Sequence, residues 1–428
     1  MEPRQRWMRA LSLAGLALAV VSASGFTRFA ATRKPTTISF WESHSASNPP
    51  GMALGHLIQQ FNHTHRLVKV HLTITKASHK ALGALAAGDA PVVAWISHYD
   101  GNFLNAHALQ PWNPYLKTVP VAEKRSFYPV VWGNGIVGQQ HYRIQADAKI
   151  SELVYNKAIF AKAGISSFPT TWTELAKDAS IIKQRVPGVI PLAWKDSSAH
   201  ILPPFLSNGG KLFRPGTHQR QVDFLTPAAS RTFNYFRTLY HLHELVIAHG
   251  SAIAADFGAG KIAIADGTSA GYLVKVNAAH GAFAVGAAPY PKGSTGHSAN
   301  IDQGLGFVLM IHHTPAQYRA ATTFLSWWFS AKTQAYWGSH SGYPPVTRAG
   351  LSLIPKNYFV QHPGVAVSVK TLASPFTISR PISDAYKEVQ SALDTAFFNA
   401  VTGRTSVQSA LHTLQRQANA YLSGKSEL

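Results

Sequence analysis

The side chains in this sequence that could do chemistry are aromatic rings beside turns and the polar groups near them. The chain has 10 Trp, 15 Tyr and 22 Phe in 428 residues. Binding a sugar or polyol requires flat aromatic faces and a complete set of hydrogen bonds, because a buried unpaired hydroxyl costs about 1–3 kcal/mol. The aromatic candidates are Trp41, Trp172, Trp194 and Tyr343. For each tryptophan, packing in the core is the alternative interpretation.

Tyr343 stands in a stretch that cannot form a regular element. Gly342 precedes it and Pro344-Pro345 follow it, and the two prolines fix φ near about −65° and remove two N–H donors. We therefore expect a rigid loop that presents the Tyr343 ring to a ligand. A plain surface turn is the alternative.

The sequence lacks the clusters that are typical of enzymes. The histidines of His241-Leu242-His243-Glu244 are two residues apart and would point in different directions from a helix. There is no HExxH, GxSxG or P-loop motif, and no cysteine to serve as a nucleophile or zinc ligand. We expect a binding protein, not an enzyme, with no metal or other cofactor.

Length and composition predict a globular chain of two domains, with 46% hydrophobic and 14% charged residues. A net charge of +20 ordinarily suggests nucleic acid or acidic membranes as partners. The basic residues are scattered without a run of four, which disfavours nucleic acid. Adaptation to acidic surroundings explains the charge equally well. An adhesive surface protein is a third class, and the chain lacks the repeats typical of one.

The amino-terminal residues have the pattern of a signal peptide, expected at residues 1–23. Arg4, Arg6 and Arg9 precede an apolar run over residues 11–21, and a cut before Ser24 follows small residues. Retention as an uncleaved anchor is the alternative, and the absence of cysteine excludes a lipoprotein. We expect export to a periplasmic or extracellular location.

The first third of the mature chain alternates strands and helices. Strands are predicted over residues 37–41, 68–74 and 92–96, with helices between them. This order predicts a mainly parallel sheet, whose ligands bind beyond the carboxyl ends of the strands. Residues 41–44 and 97–100 occupy those positions.

Later segments also show clear helix signals. Thr171 and Glu174 form a predicted capping box, and a second box is predicted from Thr405 to Gln408. A strand over residues 150–155 leads into a helix that ends before Gly164.

Seven short stretches resemble, in the same order, the glycerol-3-phosphate-binding branch of the periplasmic solute-binding family, which includes maltose-binding proteins. They are FW at 40–41, GDAP at 88–91, YNKAIFAKAGI at 155–165, TTWTEL at 170–175, WGSHSGYPPVTRAGL at 337–351, NYFVQHPGV at 357–365 and TGRTSVQSAL at 402–411. The resemblance implies an α/β, two-lobed periplasmic-binding-protein fold (type II, Venus flytrap) with three interlobe crossings. It places lobe 1 at residues 36–147 and 297–330, and lobe 2 at residues 148–296 and 331–428.

The resemblance also implies ligand contacts, at His79, His98, Lys149, Thr268, Gly304, Tyr343 and Gln390. Thr268 keeps a hydroxyl, Tyr343 is retained, and Gly304 would let the backbone approach the ligand. Three positions depart from the family: His98 stands for a glutamate, Lys149 for a serine and Gln390 for the phosphate-binding arginine. Trp41 and Trp194 complete the expected site.

The loss of an arginine removes the fork that suits phosphate best. We therefore expect a monomeric binding component of an ABC importer that captures a neutral carbohydrate between its lobes. Glycerol 3-phosphate or a glycerophosphodiester is the alternative ligand. The resemblance implies a membrane permease with cytoplasmic ATPase subunits as the partner.

Overall fold

The computed structural model describes residues 34–97, 100–383 and 385–424. Its strands are β1 (Thr36–Glu42), β2 (Val68–Ile74), β3 (Val93–Ile96), β4 (Leu109–Gln110), β5 (Ile136–Val137), β6 (Gln140–His141), β7 (Arg143–Gln145), β8 (Ser151–Asn156), β9 (Ile190–Lys195), β10 (Leu245–Ala248), β11 (Ile262–Thr268), β12 (Val285–Ala288), β13 (Asn300–Asp302), β14 (Gly306–Met310) and β15 (Thr377–Ser379).

The helices of the described residues connect and cover these strands. They are α1 (Pro49–Thr64), α2 (Ala77–Ala86), α3 (Asp100–Asn105), α4 (Asn113–Leu116), α5 (Val121–Ser126), α6 (Pro129–Trp132), α7 (Lys157–Ala163), α8 (Trp172–Arg185), α9 (Ser198–Ser207), α10 (Pro227–His241), α11 (Gly250–Gly258), α12 (Ser269–Ala278), α13 (Pro315–Trp328), α14 (Ala331–His340), α15 (Arg348–Ser352), α16 (Lys356–Gln361), α17 (Pro363–Leu372), α18 (Tyr386–Val401) and α19 (Val407–Ser423).

The first lobe is built on a sheet of order β2-β1-β3-β14-β4, with β7 also paired to β14. β1 runs parallel to β2 and β3, whereas β14 runs antiparallel to β3. The alternation of β1 buries Phe40 and Glu42 on one face. Phe40 packs against Trp95 and Phe307 there, and α13 covers β1. A polar side chain, Glu42, therefore ends a strand on the core side of the sheet.

The second lobe is built on a sheet of order β10-β9-β11-β8-β12. β9 runs parallel to β10 and β11, and β8 runs antiparallel to β11 and β12. A large core on one face joins this sheet to α8, α10 and α18 through residues such as Trp194, Phe236 and Phe397. A smaller cluster on the other face includes Phe257 and Tyr272 from α11 and α12.

The chain passes between the two sheets three times. It leaves the first sheet after β7 and enters the second at β8, so residues 146–150 form the first crossing. It returns between β13 and β14 and leaves again between α15 and α17, because α17 packs on β8 and β12.

Two of the expected lobe boundaries need correction. The sequence assigns residues 331–428 to the second lobe, but α14 packs on α1 and buries Trp337 against Trp95 and Trp328 of the first lobe. The sequence assigns residues 297–330 to the first lobe, but β13 places Ile301 in the core of the second. In both places a large apolar side chain decides which core the segment joins.

The local signals in the sequence have mixed outcomes. The capping box of Thr171 and Glu174 is confirmed, with both reciprocal hydrogen bonds present. The box expected at Thr405 is wrong, because Ser406 caps α19 by accepting a hydrogen bond from Ser409 N at 3.1 Å.

The expected signal peptide lies outside the described residues. None of the helices in the described part of the chain is long and apolar enough to cross a membrane.

Asp394 on α18 offers a test of the packing between α18 and α9. Its carboxylate accepts a hydrogen bond from Ser198 N, and burial raises the pKa of Asp394 to about 6. A raised folded-state pKa gives stability that is present below the unfolded value near 4 and is lost as pH rises through about 6.

We therefore expect Asp394→Asn to gain stability relative to the wild type between pH 4 and pH 7, by on the order of 1–3 kcal/mol. Urea unfolding at both pH values measures this difference. Asp256→Asn, at an exposed pair with Lys261, is the matched control. A difference that does not change with pH would contradict the buried, protonatable carboxyl.

Candidate functional site between the lobes

The two lobes meet where strand ends from both sheets face the crossings. Gly342 of the first lobe adopts φ 85°, and a Cβ there would lie 3.1 Å from Ser269 O and 3.3 Å from Leu273 Cγ of α12. α1 also contacts α12. We call the groups gathered at this junction the interlobe site: Glu42, His44, Asp147, Lys149, Lys195, Asp302, Tyr343 and Arg380.

On the first lobe, His44 links the end of β1 to the loop of Tyr343. The backbone N–H of His44 donates to Glu42 Oε2 at 2.6 Å, and His44 Nδ1 lies 2.8 Å from the same oxygen. His44 Nε2 lies 3.1 Å from Tyr343 Oη. The Tyr343 ring stacks on Trp337 at 5.5 Å and is only 4% exposed. The Tyr343 ring, which was expected to be presented to a ligand, is therefore buried, and its hydroxyl is hydrogen-bonded to His44.

Two buried carboxylates hold the crossings together. Asp302 accepts hydrogen bonds from Lys149 N at 3.1 Å and Gly304 N at 3.0 Å, and also from the side chain of Gln145. Asp147 accepts from Leu305 N at 2.7 Å. Burial raises the pKa of Asp147 to about 7, although the neighbouring His44 opposes this shift. Burial also raises the pKa of Asp302.

Lys149 and Arg380 face these carboxylates, and Lys195 lies within electrostatic reach of Lys149. Burial, followed by the charges of Arg380 and Lys195, lowers the pKa of Lys149 to about 8, while Asp147 and Asp302 act in the opposite direction. Arg380 donates from Nη2 to Gln303 O at 3.0 Å. The sequence does not indicate Arg380, which lies in a loop between β15 and α18.

A buried polar cluster surrounds Asp266 in the second lobe, next to the interlobe site. His200 Nδ1 lies 2.9 Å from the carboxylate, Lys195 N donates to it at 3.1 Å, and Tyr290 donates from its hydroxyl. Burial lowers the pKa of His200, and Asp266 opposes that shift. This cluster fixes the end of β9, from which Lys195 extends.

The structure gathers part of the expected set of ligand contacts. Lys149 and Gly304 share the Asp302 carboxylate, and Tyr343 approaches them through His44 and Asp147. Thr268 ends β11 directly before Ser269, whose carbonyl approaches Gly342. These four positions remain a predicted contact set.

The close packing of the first and second crossings explains why residue 304 is a glycine. A Cβ at this position would lie 2.1 Å from Asp147 O and 2.4 Å from Gln145 Nε2, so the backbone of the first crossing requires the glycine. The packing of the crossings is therefore a sufficient reason for this glycine, and a ligand contact at Gly304 stays a prediction.

Among the described residues, the structure does not bring the other predicted ligand contacts to the interlobe site. Trp194 is fully buried and packs against Phe236 and Tyr290 in the core, so it offers no ring to the site. Trp41 packs on the opposite face of β1 from Glu42. His79 is exposed on the first turn of α2, and Gln390 is partly exposed on α18. His98 lies outside the described residues.

Some of the groups that were not predicted as ligand contacts still have a partial signal in the sequence. His44 and Glu42 follow the first strand, where ligands of parallel sheets bind. Asp147 falls within the predicted first crossing. Asp302 and Arg380 carried no signal, because their roles depend on contacts between distant segments. Within the described residues, no three His, Cys, Asp or Glu side chains are grouped as metal ligands would be.

Gly342 allows a test of the contact between the lobes. We expect Gly342→Ala to hold the lobes apart, because the new methyl group would press on Ser269 O and Leu273. Small-angle X-ray scattering should then give a larger radius of gyration. Gly88→Ala is the matched control, since Gly88 has φ 76° with nothing within 4 Å of its Cβ position. Equal scattering from both variants would refute the contact.

Comparison with known proteins places these features in a family. Residues 56–355 match the family model described as bacterial extracellular solute-binding protein. The sn-glycerol-3-phosphate-binding periplasmic protein UgpB of Pectobacterium atrosepticum is 23% identical over 92% of this chain and 93% of its own length.

Solved structures show the same fold. UgpB from Mycobacterium tuberculosis, in complex with glycerophosphocholine, has a TM-score of 0.79 and 18% identity over 91% of this chain and 99% of its own. The cyclic alpha-maltosyl-1,6-maltose binding protein of Arthrobacter globiformis has a TM-score of 0.77 and 20% identity, covering 91% of this chain and 100% of its own. With a two-lobed α/β fold and a family match over residues 56–355, the chain belongs to the bacterial extracellular solute-binding proteins.

Proposed function

We propose that the protein is the solute-binding component of an ABC importer and captures a small carbohydrate at the interlobe site. The balance of charge at that site carries this proposal. Lys149 faces Asp147 and Asp302, Arg380 faces Asp302, and Lys195 faces Asp266. Because each cation has a carboxylate within electrostatic reach, a neutral ligand leaves no buried charge uncompensated.

Hydroxyl groups suit this arrangement for a further reason. A sugar hydroxyl donates one hydrogen bond and accepts two, so it can join a carboxylate oxygen to an ammonium or indole N–H. Closure of the lobes on such a ligand would replace its water contacts with fixed protein groups, and the ligand would favour the closed population.

A phosphate ester is the second candidate, and the crowding of cations favours it. Arg380 and Lys195 both lower the pKa of Lys149, so an anion beside these three groups would relieve their repulsion. Relatives named for sn-glycerol 3-phosphate agree with this candidate. Against it, Gln390 is neutral and Lys149 lacks the bidentate fork of an arginine.

The family supports proposals about catalysis, partner and location. Family members are named for binding, and we propose that this chain performs no reaction. The closed form would dock as a monomer on a membrane permease that carries cytoplasmic ATPase subunits.

We propose export with cleavage before Ser24. Mass spectrometry of the secreted protein should then show a start at or soon after Ser24, whereas an intact Met1 in the membrane fraction would indicate an anchor.

The two ligand classes can be separated at Lys149. For a neutral sugar such as maltose, Lys149→Met should weaken binding by less than about tenfold, and salt should change affinity little. Isothermal titration calorimetry with maltose and with sn-glycerol 3-phosphate, at about 50 and 500 mM salt, measures both effects. Lys157→Met, at an exposed position on α7, is the control. Tight, salt-sensitive capture of sn-glycerol 3-phosphate that Lys149→Met abolishes would establish the phosphate ester instead.

A further inference from the structure

The His44 ring is enclosed on the first lobe's side of the interlobe site. It makes edge-to-face contacts with Trp95 at 5.1 Å, Trp337 at 6.1 Å and Tyr343 at 5.7 Å, measured between ring centroids. Its side chain is only 9% exposed. Three rings from β3, α14 and the Tyr343 loop therefore fix the plane of the imidazole.

Glu42 fixes which ring nitrogen faces the site. A carboxylate only accepts hydrogen bonds, so His44 Nδ1, at 2.8 Å from Glu42 Oε2, must carry a proton. In the neutral imidazole the other nitrogen, Nε2, is then an acceptor, and the Tyr343 hydroxyl donates to it at 3.1 Å. The pair Glu42 and His44 thus presents an acceptor towards Tyr343.

Several buried polar atoms next to His44 are unsatisfied. Glu42 Oε1, Asp147 Oδ2, Trp95 Nε1 and Trp337 Nε1 have no hydrogen-bond partner among the residues that the structure describes. All four side chains are fully buried. An unsatisfied buried polar atom costs about 1–3 kcal/mol, so two acceptors and two donors left open in one neighbourhood indicate that another molecule completes them.

We propose that His44 is the specificity-determining residue of the first lobe and that its Nε2 accepts a hydrogen bond from a hydroxyl group of the solute. In this assignment the solute hydroxyl takes the place of Tyr343 Oη at Nε2. The open oxygens of Glu42 and Asp147 accept from neighbouring hydroxyls. This assignment rests on the proposed function and specifies which end of the solute meets the first lobe.

The chemistry of the open atoms selects hydroxyls over an anionic group. An ionised phosphate oxygen cannot donate to Nε2 or to a carboxylate, and its charge would face Glu42 and Asp147. The hydroxyl-bearing end of the solute therefore lies against the first lobe. Any acceptor-rich group of the same solute lies towards Lys149 and Arg380.

Two variants of His44 separate recognition from packing. His44→Phe keeps a ring between Trp95, Trp337 and Tyr343 and removes both nitrogens. His44→Gln loses the ring and restores an amide near the place of Nε2. His56→Phe is the matched control, because His56 is exposed on α1 and stacks on Tyr336 at 4.8 Å.

Isothermal titration calorimetry with maltose, glycerol and sn-glycerol 3-phosphate tests the assignment. For each probe that the wild type binds, His44→Phe should weaken binding at least about tenfold, which is the loss of one hydrogen bond of about 1.4 kcal/mol. His44→Gln should recover most of this loss, and His56→Phe should bind as the wild type does. Thermal unfolding of the ligand-free His44→Phe variant should stay within a few degrees of the wild type.

The outcomes are distinct. Wild-type binding that His44→Phe leaves intact overturns the assignment and keeps the proposed function. Loss of binding in His44→Phe that His44→Gln does not restore, together with a clearly lower unfolding temperature of ligand-free His44→Phe, shows that His44 only supports the Tyr343 loop and also overturns the assignment. Failure of the wild type to bind any of the three probes overturns the proposed function together with the assignment.

Discussion

The interlobe site depends on one buried carboxylate, that of Asp302. It accepts hydrogen bonds from Lys149 N in the first crossing, from Gly304 N in the second, and from the side chain of Gln145 at the end of β7. A buried carboxylate costs several kcal/mol unless donors satisfy it. Because its donors come from segments that lead into both lobes, satisfying Asp302 also fixes how the two crossings run side by side.

The same requirement explains why charged groups concentrate at the junction of the lobes. Lys149 and Gly304 are placed by Asp302, Leu305 N by Asp147, and Lys195 by Asp266. Each carboxylate positions a backbone N–H and also faces a cation. The groups that hold the crossings are therefore the same groups that form the proposed solute site. A change in a crossing segment would also change that proposed site.

The fold was largely predictable, whereas the site was predictable only in part. The alternation of apolar residues in β1 and the capping box at Thr171 are local patterns, and both are visible in the sequence. The boundary at residue 331 was wrong because nothing local shows that Trp337 packs against Trp95, more than 200 positions away. Trp194 illustrates the same limit, since a tryptophan for stacking and a tryptophan for packing have the same sequence signal. Arg380 reaches the site only through tertiary packing.

The charged residues that make up the net charge of +20 are distributed unevenly between the interior and the surface. Among the residues that the structure describes, six acidic side chains are buried: Glu42, Asp147, Glu152, Glu244, Asp266 and Asp302. The buried Lys and Arg side chains in the same part of the chain are fewer, namely Arg143, Lys275 and Arg380, while Lys149 and Lys195 are partly exposed. The described surface therefore carries a larger share of the positive charge than composition alone indicates.

Inside the protein, burial raises the pKa of Glu152 to about 8 and lowers that of Lys275 to about 7. The first contribution to stability is lost as pH rises and the second as pH falls, so they oppose each other near neutrality. Because more acidic than Lys and Arg side chains are buried among the described residues, the excess positive charge lies chiefly at the surface.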